Sequence, residues 1–205
     1  PKVFNFVELG PGDGSLTKVI ISTLKQFPEL NKAIKIYLYE KSLFLKKLQK
    51  QNIDNKRIKW IKNFNSIKKG PVIFFGNEFF DAIPIKQFSN INNELFEKCY
   101  SVKDNVDIIE KFIRSNKKDV AQIMTFGTLK KLKFIEFPKK GLIELNPIIK
   151  KINKLSGGIL LIDYGYLNSN NSNTIQAVMG NKKISTETML KNLGKADITL
   201  SLIHI

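Results

Sequence analysis

The apolar positions of this chain change period several times, and each change marks an element. Val3–Val7 is a short, mostly apolar run that suits a strand. Leu16, Val19, Ile20, Leu24 and Phe27 then recur at helical spacing, and Pro28 ends that helix. Ala33–Tyr39 reads as a second strand, with Ile34, Ile36 and Leu38 on one face. Ser42 stands where a helix cap is expected, ahead of a stretch to Gln51 whose apolar positions are Leu43, Leu45 and Leu48. Arg57–Ile61 is a short third strand that carries Trp60, the sole tryptophan, as a core residue. Beyond the Gly70-Pro71 turn, Val72-Ile73-Phe74-Phe75 is unbroken apolar sequence, the pattern of a strand buried on both faces. A further apolar run follows Gly157-Gly158. Strands alternating with helices in this way predict an α/β domain built on a parallel sheet.

The middle of the chain breaks that alternation. Gln87-Phe88 and Phe96–Val102 are expected to pair as a hairpin around Asn90–Glu94, where asparagine favours a turn. Glu110–Lys118 and Lys130–Lys140 are charged and less readable. Residues 87–156 are therefore read as an insertion that caps a substrate cleft, although a plain solvated excursion explains them as well. Residues 1–86 form the ligand-binding half and residues 157–205 continue the sheet, within a single domain overall. Asn168–Thr174 reads as an Asn/Ser loop.

The candidate chemistry begins at Glu8-Leu9-Gly10-Pro11-Gly12-Asp13-Gly14, between the first strand and the first helix. Glycine permits positive φ and exposes backbone that a Cβ would shield from a ligand. The helix start adds free N–H groups for polar or anionic atoms. An ordinary strand-to-helix turn explains the same glycines. The dinucleotide fingerprint needs glycine at its first, third and sixth positions, and here the sixth, counted from Gly10, is Ser15. Glu40, at the tip of the second strand, is placed to accept from both hydroxyls of a ribose, because one carboxylate can take two donors. A solvated strand-end glutamate is the plainer alternative.

The fourth strand empties into Gly76-Asn77-Glu78-Phe79-Phe80-Asp81-Ala82-Ile83-Pro84. Polar and acidic residues just after a central strand lie at the carboxyl edge of the sheet, where open α/β folds bind ligands. Glu78 and Asp81 are three apart, so a helical turn would set both carboxylates on one face. Phe79 and Phe80 are placed to wall off water. Asp81 alone is also explained as an acidic cap on a following helix.

Asn77–Pro84 resembles the N-E-x-F-D-A-[LI]-P signature of the MidA-like methyltransferases, a family of Rossmann-like class I enzymes dependent on S-adenosylmethionine (SAM). The E-x-G-x-G-x-G pattern of Glu8–Gly14 resembles motif I of that class. Agreement extends to Tyr39-Glu40-Lys41-Ser42, Pro84–Phe88, Ile143–Pro147, Gly157–Tyr166, Gln176-Ala177 and Ala196–Thr199, so it spans nearly all of the chain. The resemblance implies a mostly parallel sheet of order 3-2-1-4-5, with later strands missing or partial. It also implies SAM as cofactor and S-adenosylhomocysteine as product. Glu8, Gly10, Pro11, Gly12, Asp13, Gly14, Glu40, Lys41, Ser42 and Asn77 would hold the cofactor. Glu78, Asp81 and Asn77 would be catalytic, and Phe79, Phe80, Asp163 and Tyr164 would line the substrate cleft. The family includes a mitochondrial assembly factor that methylates an arginine of a complex I subunit, so the implied target is a protein arginine. A guanidinium nitrogen offers a lone pair only when its charge is localised on its neighbours, which a carboxylate pair does. Glu78 is the first candidate for that role, with Asp81 or Asp163 second.

Composition changes this picture little. The 205 residues suffice for one sizeable α/β domain. The chain opens on Pro1 without an initiator methionine, so it is expected to be a fragment, truncated at both ends. Cys99 is the only cysteine, which excludes an internal disulfide and fits a reducing compartment, the bacterial cytoplasm or a mitochondrial matrix. No apolar run reaches membrane-spanning length. His204 is the only histidine, and no metal-ligand spacing or hydrolytic triad is present. The net charge of +16 raises a nucleic-acid partner, but only Arg57 and Arg114 supply the planar fork that reads bases and phosphates. A generic lysine surface is the preferred explanation. A methyltransferase for RNA or another nucleophile, and a non-catalytic assembly factor, are the alternatives.

Overall fold

The computed structural model of the chain describes residues 2–103, 107–163 and 173–200. It contains two compact units, residues 1–80 with 142–163, and residues 81–141 with 164–205.

The first unit opens with β1 (Phe4–Leu9), α1 (Ser15–Leu24), α2 (Pro28–Ala33), β2 (Ile34–Tyr39), α3 (Leu43–Asn52), β3 (Lys59–Ile61) and β4 (Val72–Asn77). The chain then forms β5 (Lys86–Ile91), β6 (Glu94–Lys103), β7 (Asp107–Arg114), α4 (Lys117–Ile123) and β8 (Phe134–Phe137) of the second unit. It returns through α5 (Lys139–Leu155) to β9 (Gly157–Ile162). Last come β10 (Ile175–Met179), β11 (Lys182–Ile184), α6 (Thr186–Lys191) and β12 (Asp197–Leu200).

The first sheet runs β3-β2-β1-β4-β9 with every neighbour parallel, which is the expected 3-2-1-4-5 order. Its register sets the site. Leu9 lies level with both Tyr39 and Gly76, so β1, β2 and β4 end together at one carboxyl edge. Each face of the sheet has its own core. Val7, Leu9, Tyr37, Tyr39, Phe64, Phe74 and Ile148 form one, with Ile152 and Leu155 of α5 against it. Leu24, Ile34, Ile36, Leu38, Ile53 and Ile58 form the other, with Ile20, Ile21 and half-buried Trp60 against it.

Three amphipathic readings shift. α1 turns Thr17 fully inward, while Leu16, Val19 and Phe27 are exposed. The inward face is Thr17, Ile20, Ile21 and Leu24, because a buried carboxylate needs the Thr17 hydroxyl there. Pro28 opens α2 at its first turn, where a missing N–H costs nothing. In α3, Leu43 of the expected apolar positions is 79% exposed, while the polar Gln49, which that spacing left out, is fully buried. β4 is buried on one face only, since Ile73 is 42% exposed.

In the second unit β7-β6-β5-β8 is an antiparallel sheet. The expected hairpin is its centre. Ile91 pairs with Glu94, and Asn92 and Asn93 take φ of 51° and 65°, the two left-handed positions of a tight primed turn. The span 87–156 thus holds this sheet and also α5, whose Ile148 packs on the parallel sheet. β9 continues the parallel sheet, whereas β10 pairs with β11 and β12 in a separate antiparallel sheet. Tyr164, the loop residues 168–172 and His204 lie outside the described residues.

Candidate active site

The glycine loop is built as its residue types require. Gly10, Gly12 and Gly14 take φ of 61°, 56° and 86°. Their surroundings differ. A Cβ on Gly14 would sit 2.7 Å from Ile53 Cδ1, and one on Gly10 would sit 3.0 Å from the Phe79 ring. A Cβ on Gly12 would meet nothing within 4 Å, so the loop is open at that point. The Gly10 N–H donates to Tyr39 O at 3.0 Å, and the Gly14 N–H to Pro11 O at 2.8 Å, which ties the loop to β2 and folds it back on itself. Asp13 accepts the Ser15 N–H at 2.9 Å, and that hydrogen bond holds its carboxyl below the usual range.

Glu8 does not reach the surface. It is 3% exposed, and the Thr17 hydroxyl donates to its Oε2. Burial pushes its carboxyl up from the usual range, and the Thr17 hydrogen bond works against that rise. Glu8 therefore braces the start of the loop against α1.

Glu40 is also buried, at the tip of β2. Its Oε1 accepts from the Ser42 N–H at 2.8 Å and its Oε2 from Gln49 Nε2 at 3.2 Å. An ionised carboxylate has about four acceptor positions, so these two bonds orient it and leave capacity for further donors. Gln49 also donates to Gly12 O at 2.8 Å and accepts from Trp60 Nε1 at 3.0 Å. It thereby fixes the glycine loop and Glu40 to each other. The sequence reading did not single out Gln49. Its only signal was a polar residue one turn beyond Leu45, on the apolar side of α3.

Lys41 and Ser42 fall into different roles. Ser42 caps α3 by accepting from the Leu45 N–H at 3.2 Å. Lys41 pairs with Glu144 of α5, which also accepts from the Tyr39 hydroxyl at 2.8 Å. Burial, then the hydrogen bond to Glu144 and its charge, push the Tyr39 phenol far up.

Asn77 ends β4 opposite Ile162, and the Glu78 N–H extends that pairing by donating to Ile162 O at 2.8 Å. Both side chains are exposed. Glu78 takes a φ of 50°, a left-handed conformation that a non-glycine residue seldom holds and that clusters at functional turns. The residues after it form turns and no helix, so the expected helical face joining Glu78 to Asp81 is not formed. The left-handed bend at Glu78 breaks the periodicity it needs. Asp163, just after β9, accepts from the Phe80 N–H at 3.1 Å and so steadies this turn. Phe79 packs on the glycine loop, with Tyr39 and Phe80 rings 6.3 and 5.1 Å away. The first unit thus brings together the glycine loop, Glu40, Asn77, Glu78, Phe79, Phe80 and Asp163 at one sheet edge. Asp81 belongs to the second unit.

Comparison with known proteins gives this edge a context. A relative from Caenorhabditis elegans, named protein arginine methyltransferase NDUFAF7 homolog, mitochondrial, is 28% identical over 224 residues, covering 96% of this chain and 50% of its own length. The Danio rerio protein arginine methyltransferase NDUFAF7, mitochondrial, is 25% identical over 216 residues, covering 94% and 50%. The chain spans about half the length of these curated relatives. A Burkholderia thailandensis protein crystallised with S-adenosyl-homocysteine superposes with a TM-score of 0.73 at 15% identity, covering 98% of this chain and 53% of that one. A native crystal structure from the same organism gives 0.75 at 16% identity, covering 98% and 55%. At such identity these two carry the fold alone. Residues 1–202 match the family described as "Putative S-adenosyl-L-methionine-dependent methyltransferase", and the chain belongs to that family.

Proposed function

We propose that this chain is the cofactor-binding and catalytic core of a methyltransferase that uses SAM to methylate a protein arginine. The observation that carries this is the frame in which Gln49 joins the open backbone at Gly12 to the buried Glu40 carboxylate. The residues present fit the cofactor. Gly12 leaves open the space that a side chain would fill, and Glu40 keeps acceptor capacity for ribose hydroxyls. Gly10, Pro11, Asp13 and Gly14 shape the loop, Glu8 braces it, Ser42 caps α3, and Lys41 ties the tip of β2 to Glu144 of α5. When bound, SAM supplies a methyl group on a positively charged sulfur.

The chain's own residues then position an acceptor. Glu78, with Asp163, holds the guanidinium as a planar fork and gathers its charge on two nitrogens. With SAM bound, the third nitrogen would take the methyl as the sulfur–methyl bond breaks to leave S-adenosylhomocysteine, and the carboxylates at this edge would take up the proton that nitrogen gives up. Asn77 orients that nitrogen. Phe79 and Phe80 exclude water, which strengthens these charge interactions. The names of the relatives support an arginine target, and we extend the proposal to a complex I subunit during assembly, in a mitochondrial matrix or a bacterial cytoplasm. Among the described residues, no helix is long and apolar enough to cross a membrane.

Incubation with methyl-radiolabelled SAM and separate protein and RNA fractions tests this. Label is expected on arginine in the protein fraction. Label in the RNA fraction alone would transfer the proposal to a nucleic-acid substrate.

A further inference from the structure

The first unit has a second concavity. The connection from β3 to β4 is residues 62–71, and it holds only a three-residue 3-10 turn, Phe64–Ser66, where a parallel crossover usually carries a helix. Between this connection and α5 lies a cleft of about 340 Å³, within the size range of small-molecule sites. Lys62 enters it from the β3 side, and Lys150, Lys151 and Lys154 from α5. Buried Tyr39 and Phe64 and exposed Pro147 also line it. Lysines supply four of its nine lining residues, whereas lysine and arginine together make up about one residue in six of the chain. Among the described residues, no carboxylate lines it. The nearby Glu144 is already matched by Lys41 and Tyr39.

This concentration differs from a generic lysine surface. Lys151 is half-buried, and its ammonium donates to Ile67 O at 2.9 Å, so its head points into the unit instead of into bulk water. Burial, reinforced by the Lys154 charge, holds its pKa below the usual lysine range. Lys62, Lys150 and Lys154 are exposed, but like charges gathered with Lys151 in one concavity repel one another, and a bound anion removes that repulsion. An ammonium is a point charge with rotatable donors, suited to phosphate oxygens in any orientation.

We propose that this cleft binds a small phosphate-bearing anion, whose phosphate groups are held by Lys62, Lys150, Lys151 and Lys154. A concavity of about 340 Å³ matches a small molecule in size, whereas a polymer backbone is tracked by a continuing stripe. The shared chemistry is the phosphate group, free or carried by a nucleotide. A nucleotide would also set its base against the Asn63 and Asn65 edge of the cleft.

Isothermal titration of the full chain with sodium tripolyphosphate and, separately, ATP at low ionic strength tests this. One site is expected, weakened by added salt. Equal affinities identify a site for the phosphate groups alone, and tighter ATP binding adds the base. Lys150→Gln with Lys154→Gln should raise the dissociation constant about tenfold or more. Lys25→Gln with Lys56→Gln removes the same charge from exposed positions elsewhere and should leave it within about twofold. Circular dichroism melts of both double variants check that they fold. Absence of binding, equal losses in the two double variants, or binding of an RNA oligonucleotide without either small ligand would each overturn the proposal.

Discussion

Gln49 donates to the Glu40 carboxylate at 3.2 Å, and both side chains are buried. The same amide holds Gly12 O and the Trp60 indole. One side chain of α3 therefore ties together the loop after β1 and the acid after β2.

Replacing it tests that coupling. Gln49→Leu keeps the approximate volume but strands a carbonyl, a carboxylate and an indole N–H without their partner. A buried group left unsatisfied costs about 1–3 kcal/mol, so denaturant unfolding should show a loss of about 2–4 kcal/mol. Affinity for SAM should fall by more than the stability loss alone explains, because Glu40 loses its orientation. Unchanged affinity in a destabilised variant would leave Gln49 as a packing residue only.

The glycines separate strain from ligand space. Gly14→Ala sets a methyl 2.7 Å from Ile53 at positive φ and should destabilise the fold by about 1–3 kcal/mol. Gly12→Ala meets no neighbour, so only the backbone term of about 1 kcal/mol remains. Its methyl points into the open space, and cofactor affinity should drop about tenfold or more. Melting temperatures and titration calorimetry on the two variants should therefore rank them in opposite orders.

A buried charge cluster in the second unit governs its acid stability. Asp119 is fully buried and bonded to Lys139, to Lys86 at 2.8 Å and to Asn116 at 2.9 Å. Burial raises its pKa, but the hydrogen bonds from Lys139, Lys86 and Asn116 outweigh it and bring the carboxyl to about 2, below the usual 3.8. A depressed folded pKa stabilises above the unfolded value, and that contribution is lost as pH falls from about 4 to about 2. Asp119→Asn should cost about 2 kcal/mol or more at neutral pH, because Lys139 loses its carboxylate partner and Lys86 keeps only Glu97. The gap between wild type and variant in thermal melts should close as pH falls through that window. A gap constant from pH 7 to 2 would exclude the cluster as its source.

Glu78→Gln keeps the shape of the turn and removes a charge. Methyl transfer to arginine should fall by about a hundredfold or more, while binding of S-adenosylhomocysteine stays within about twofold. Full transfer by the variant would remove Glu78 from the proposed chemistry.

The parallel order was legible because β1, β2, β3 and β4 each carry apolar runs bounded by glycine, proline or polar residues. The hairpin was legible because Asn92-Asn93 tolerates left-handed backbone. Three features were less so. The inward face of α1 is set by Thr17 meeting buried Glu8, and hydrophobic spacing cannot see a polar pair that satisfies itself. Gln49 was hidden for the same reason. The bend after β4 depends on Glu78 adopting positive φ, a choice made by tertiary contacts rather than by glutamate's own preference. The loop, Glu40 and the Asn77-Glu78 pair could be expected at one edge because strand tips follow from topology. The hydrogen bonds between them could not.

The central claim is that Gly12 and Glu40 border the cofactor's place at the shared ends of β1 and β2. Calorimetric titration of the chain with S-adenosylhomocysteine, beside Glu40→Gln and Gly12→Ala variants shown to be folded, tests it most directly. One site should be found in the wild type, with affinity reduced about tenfold or more in each variant. Folded variants that bind as tightly as the wild type would contradict it.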